Sequence, residues 1–234
     1  VDFPVELFVP GEESMSAASV CVVCWSAKGG SGTSVIAAAL ALRSADFGRE
    51  TLLVDLDGDQ PDVLGVTSEG PGATDWLAAG DDVPVDALAG LEVPVTSHLR
   101  LLPRGKAAAS NDQLRLLLGI LGTGSRSVVI DAGTQRPEAG VLPVRWWDGL
   151  GVSVLITRAC YLALRRVDSL GPDTRLVLVD EPGRALTASD VVTSLGVPLW
   201  CRVGIDPSVA RAVDAGLLAT RRPRALRQLD LSVL

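Results

Sequence analysis

The sequence predicts a doubly wound α/β domain, a mainly parallel sheet of about seven strands with helices on both faces. Three observations carry that expectation. Short β-rich runs alternate with amphipathic stretches along the chain, the pattern of strand–helix–strand units. The runs Thr51-Leu52-Leu53-Val54 and Val128-Val129-Ile130 are almost wholly apolar, as parallel strands covered on both faces must be. A glycine-rich loop separates the first strand from an Ala-rich helix.

Taken in order, residues 1–18 carry Glu6, Glu12 and Glu13 and lack the basic start and apolar middle of a signal peptide. They read as an N-terminal extension, and residues 19–234 as one domain. Strands are expected at about 19–25, 51–56, 99–103, 127–131, 152–157, 174–180 and 198–203. Helices are expected at about 33–46, 110–121, 160–169, 187–196 and 207–218. Residues 67–97, rich in Gly, Asp and Pro, read as a segment wrapping the sheet edge. Cys21 and Cys24 form a C-x-x-C, but inside an apolar strand residues three apart point to opposite faces. They are read as core rather than as a redox or metal pair, and Cys160 and Cys201 as inert thiols in apolar surroundings. Trp146-Trp147 are expected to cap the core, and Arg165-Arg166 to lie on an exposed helix face.

With 234 residues, 47% of them hydrophobic, and a mean hydropathy of +0.33, the chain can bury a large core. No apolar run of about 18 residues is free of charge, so no membrane-spanning helix is expected. A cytoplasmic location is the default. The net charge of −7 repels nucleic acid and anionic membranes, so binding to either requires a local patch. His98 is the single histidine, which excludes a histidine-based triad or zinc cluster. Lysine occurs only at Lys28 and Lys106 in a chain whose other side-chain cations are arginine. A lysine in that setting suggests a site that prefers a slim, single-point ammonium.

The loop runs Ser26-Ala27-Lys28-Gly29-Gly30-Ser31-Gly32-Thr33-Ser34 and opens a helix from Val35. Glycines let backbone N–H groups converge on phosphate oxygens, and the helix N-terminus adds its positive dipole end. A bare turn is the alternative reading, but the strand–loop–helix setting favours a phosphate site. The segment resembles the deviant Walker A loop of the ParA/MinD family, K-G-G-x-G-K-[ST], within a three-layer P-loop NTPase-like fold. Lys28 matches the family's signature lysine, which reaches the nucleotide of the opposite subunit in a sandwich dimer. Gly29, Gly30, Ser31, Gly32 and Thr33 match the positions around the phosphates, and Ser34 the hydroxyl that holds Mg²⁺. Thr33 falls where the family carries its second lysine, the contact to the β- and γ-phosphates. The order and spacing of two further motifs fit. Leu53-Val54-Asp55-Leu56-Asp57 resembles the family's D-x-D segment, which implies Asp57 orienting the attacking water and Asp55 near Mg²⁺. Val128-Val129-Ile130-Asp131 resembles Walker B, which implies Asp131 in the metal's outer shell. Asp180 ends a strand where the family carries an adenine-reading Asn, and Gly204-Ile205-Asp206-Pro207-Ser208-Val209 resembles the segment packed beside the base. An Asp accepts without donating, so Asp180 suits adenine and guanine differently from Asn.

Removing a lysine from beside several phosphates costs roughly 2–5 kcal/mol, about a hundredfold in affinity or more, and hydrolysis suffers at least as much. Either Lys28 folds back in cis to substitute, or the site is vacant and structural. Loss of this lysine with retention of the rest resembles the TadZ/CpaE branch, polar localisation factors of pilus assembly. The resemblance implies ATP with Mg²⁺ as ligand, a homodimer, and protein partners in a localisation, pilus or secretion apparatus. It leaves two other functions open, a slow Mg-ATPase that partitions DNA or cargo, and a scaffold whose loop binds nothing. Arg221, Arg222, Arg224 and Arg227 form the strongest basic patch, a candidate for non-specific DNA binding set against a plain solvated helix face. Leu226, Leu229 and Leu231 make too short a stripe for a membrane anchor.

Overall fold

The computed structural model describes residues 20–80, 83–135, 151–168, 170–227 and 229. The expected extension 1–18, Trp146-Trp147 and Leu231 lie outside them. Strand β1 (Cys21–Ser26) is buried along its whole length and pairs in parallel with β5 (Ser127–Thr134) and β6 (Val152–Arg158). On one side the sheet continues through β2 (Thr51–Asp55) and β4 (Leu99–Leu102), and on the other through β7 (Thr174–Asp180) and β8 (Leu199–Gly204). A two-residue strand, β3 (Val93–Pro94), adds an antiparallel edge, giving the order β3-β4-β2-β5-β1-β6-β7-β8. The doubly wound reading holds, with this eighth strand added.

Sequence alternation explains the layers. One face of the sheet, including Val22, Cys24, Leu53 and Val154, packs with α1 (Thr33–Asp46), α2 (Gln60–Leu64), α8 (Pro207–Asp214) and α9 (Arg224–Arg227). The other face, including Cys21, Val23, Trp25 and Val128, packs with α3 (Ala73–Ala78), α4 (Asp86–Ala89), α5 (Asn111–Leu121) and α7 (Ala188–Leu195). Cys21 and Cys24 therefore do face opposite cores. Helix α1 is buried nearly all round, and its alanines let it lie close to the sheet while α9 covers it from outside.

Residues 67–97 do pass the sheet edge, but they hold α3, α4 and β3 rather than irregular chain. Buried Glu92 fastens that edge through the Arg100 Nε–H at 2.9 Å and a forked contact from Arg126. The helix expected at 160–169 is only α6 (Tyr161–Leu164), followed by the tighter i to i+3 bonds Arg166 N–H to Ala163 O and Val167 N–H to Leu164 O. Helix α8 stops before 218 because Gly216 turns left-handed (φ +61°) where it crosses Gly65; a Cβ on Gly65 would meet Gly216 O at 1.7 Å.

Candidate functional site

Connections run to one side from β1 and to the other from β6, so the sheet's topological switch point lies between them. Ligand crevices in open α/β sheets form at the carboxyl ends of strands at such a point. The glycine loop leaves β1 there. Ser26 Oγ and Ser31 Oγ both donate to the Lys28 carbonyl, at 3.2 and 2.6 Å, so these hydroxyls brace the loop from inside. Gly30 and Gly32 take positive φ (75° and 93°), and a Cβ on Gly30 would stand in open space. Gly29 and Gly30 are exposed.

Helix α1 starts at Gly32 with no side-chain cap and no acidic residue in its first turn. The contrast with α5 and α7 is sharp, since Ser110/Gln113 and Thr187/Asp190 complete capping boxes there. The first-turn amides of α1 are left for an anion. Thr33, where the resemblance leads one to expect a lysine, is buried. Lys28 is half-buried, with Nζ donating to Gly29 O at 3.4 Å, and its charge helps lower the pKa values of Glu181 and Cys160.

The carboxylates divide by environment. Asp131 is fully buried at the loop's base, accepting from Gln60 Nε2 at 2.7 Å, from the Gly133 N–H at 3.1 Å, and from the Ser34 hydroxyl. Burial pushes its pKa up to about 7, with the Asp55 charge adding and those hydrogen bonds opposing. The Gln60 amide also donates to Ser34 O at 2.9 Å, and its own buried Oε1 has no partner among the described residues. Asp55 turns both oxygens into the following loop, accepting from the N–H groups of Asp57, Gly58 and Gln60 at 3.0, 2.7 and 3.1 Å. Burial raises its pKa. Asp57 is exposed to solvent on one side and lies against Gly133 on the other, where a Cβ would come within 2.1 Å of Oδ1; partial desolvation and the Asp59 charge raise its pKa, and Arg104 lowers it.

Beside the loop opens a cleft of about 210 Å³, bordered by Ser31, Gly32, Val179, Val209 and Asp206. Asp206 also caps α8, accepting from the Ser208 N–H at 2.7 Å, while Pro207 is the exposed first residue of that helix. Asp180 does not border the cleft; its carboxylate pairs with the Arg202 guanidinium. Arg158, at the end of β6, does border it. Two of these residues escape sequence reasoning. Gln60 is a polar side chain just before a proline, and Arg158 a lone charge ending an apolar strand, a signal legible only once the switch point is known. Cys160 is not in the apolar setting expected for it. It is half-buried at the start of α6, where the backbone N–H groups of Ala163 and Leu162, with Arg184 and Lys28, lower its thiol pKa.

The residues present fit a phosphate chain and Mg²⁺. The open glycine cradle and uncapped helix suit phosphate, and Ser34 with Asp131 offers a hydroxyl and a carboxylate. Among the described residues no three His, Cys, Asp or Glu side chains are grouped to hold a metal by themselves. Mg²⁺ needs no such cage, since it is usually held by one or two carboxylates together with substrate phosphates and water.

No protein-family model matches the chain, and no curated protein matches it. Solved structures do. A ParA family ATPase from Chlorobium tepidum superposes with a TM-score of 0.75 at 19% identity, covering 92% of this chain and 98% of that one. MinD from Pyrococcus horikoshii, solved with Mg-ADP, gives a TM-score of 0.68 at 20% identity over 90% and 92% of the two chains. McdA(D38A) from Cyanothece, solved with ATP, gives 0.60 at 15% identity over 91% and 94%. The molecule therefore has the doubly wound fold of the ParA/MinD ATPases.

Proposed function

We propose that this chain is a ParA/MinD-like, nucleotide-responsive localisation or assembly factor, binding ATP with Mg²⁺ weakly and hydrolysing it slowly or not at all. The observation that carries the reading is the loop itself, an open glycine cradle on an uncapped helix with Ser34 on Asp131 and Thr33 in place of the lysine. Loop amides would hold the phosphates, Ser34 and Asp131 would serve Mg²⁺, and Asp57 would face the water. Mg²⁺ would supply charge neutralisation on the phosphates. With one cation fewer, transition-state stabilisation falls at least as much as nucleotide affinity does. Function then rests on dimerisation and partner binding rather than on turnover. The TadZ/CpaE-like reading, with partners in a pilus or secretion apparatus and a cytoplasmic location, accords with the missing lysine. No helix of the described residues is long and apolar enough to cross a membrane.

Calorimetric titration of Mg-ATP into wild type, Lys28→Ala and Thr33→Lys, with oligomeric state read by light scattering, tests this. We expect weak binding in wild type, a gain of at least tenfold in Thr33→Lys, and a nucleotide-dependent rise in mass. Turnover at rates usual for active ATPases of this fold would favour the slow Mg-ATPase reading, for which exposed Asp57 provides. A wild type silent to millimolar nucleotide in both binding and mass would leave a scaffold.

A further inference from the structure

Arg158 stands on the opposite side of the switch point from the lysine the loop lacks. It ends β6, the strand beside β1, and borders the same cleft as Ser31 and Gly32 of the loop. Among the described residues bordering that cleft it is the one cation. Its guanidinium makes no hydrogen bond to the described residues. Nη1 makes a long ion pair with Glu181 Oε2 at 3.7 Å, beyond hydrogen-bond length, and the buried Nε has no partner among the described residues. Glu181 is meanwhile held by another arginine, as Arg184 Nε and Nη2 donate to that same oxygen at 2.8 and 2.6 Å. Arg184 thus takes the hydrogen bonds of Glu181 Oε2 and leaves Arg158 only a long ion pair with that oxygen. An arginine with no hydrogen-bonded side-chain partner among the described residues, a positive fork suited to phosphate, borders the same cleft as a loop suited to phosphate with Thr33 where a lysine is expected.

We propose that Arg158 supplies the missing charge, holding the phosphate chain of a nucleoside di- or triphosphate from β6 rather than from α1, with Arg184 as a positioning residue that holds Glu181 to a long ion pair with it, short of a hydrogen bond. The inference rests on the nucleotide reading above. It assigns the cation for phosphate to neither Lys28 nor Thr33.

The test is calorimetric titration of the full chain with Mg-ATP and, separately, with inorganic tripolyphosphate. Arg158→Ala should weaken both at least tenfold, and Arg158→Lys less. Arg184→Ala should weaken both several-fold by releasing Glu181 onto Arg158, and adding Glu181→Gln to it should restore binding. Melting temperatures monitor folding, and the Arg184 pair, on the exposed surface, keeps the test alive if Arg158→Ala does not fold. Wild type that binds while Arg158→Ala binds equally, or while Arg184→Ala is unchanged, overturns the inference and leaves the nucleotide reading standing. Wild type that binds neither ligand at millimolar concentration overturns both.

Discussion

At the scale of the residue, Asp131 carries the largest electrostatic liability of the site. It is fully buried, with its pKa pushed up to about 7 from an ordinary 3.8. Between those values the folded state holds a proton that the unfolded state has released, so stability falls as pH rises from about 4 to about 7. A rise of that size corresponds to a loss on the order of 4 kcal/mol at most above pH 7. Asp131→Asn keeps an acceptor for Gln60 and removes the charge. We expect the variant to match wild type near pH 4 and to exceed it in urea stability at pH 8, without Mg²⁺ or nucleotide; parallel pH profiles would refute the assignment. Ser34 and Asp131 were legible in the sequence because loop spacing and an apolar strand fix their places. Gln60 and Arg158 were not, since their neighbours are brought to them from distant parts of the chain only by the fold. Asp180 shows the converse, because alignment with a motif does not reveal that Arg202 will take its carboxylate.

At the scale of the element, the C-terminal segment is a cover for α1 before it is anything else. Leu226 and Leu229 are buried against the α1 core, Arg43 donates to the Arg227 carbonyl, and Arg222 pairs with Asp46. Burial pulls the Arg222 pKa down. Which contact dominates follows from magnitudes. A half-exposed ion pair contributes about 0–1 kcal/mol, whereas truncating a buried leucine costs roughly 2–5 kcal/mol. Leu226→Ala should therefore lower urea stability by about 2–4 kcal/mol and Arg222→Ala by under about 1 kcal/mol; equal effects would mean that the pair, not the leucine, fastens the segment. The long elements were legible because α1, α5 and the apolar strands repeat their period over enough residues. Short α2, α3, α4 and β3 have too few residues for a period, and the edge strand exists through Glu92 and its two arginines, a tertiary arrangement.

At the scale of the whole molecule, charge decides what the basic segment can do. The net charge is −7, so DNA is repelled at long range and any attachment needs a local patch, for which the arginines near the C-terminus are the candidate. Of the four, Arg222 is half-buried on Asp46, while Arg221, Arg224 and Arg227 are exposed. Three phosphate contacts predict a slope of log K against log salt near −2.7, since each contact releases about 0.9 counterion on duplex DNA. Ten contacts steepen that slope to about −9, so the two regimes separate clearly in anisotropy titrations across 20–200 mM salt, a range taken as about one decade of ionic strength. We expect binding only at the low end, with a slope no steeper than about −3 and its loss in an Arg221→Ala/Arg224→Ala/Arg227→Ala variant. A slope near −6 would require charges from elsewhere on the surface, as a dimer pairing two such segments would provide, and repeating the titration with Mg-ATP distinguishes that case: the slope should double only if nucleotide drives dimerisation.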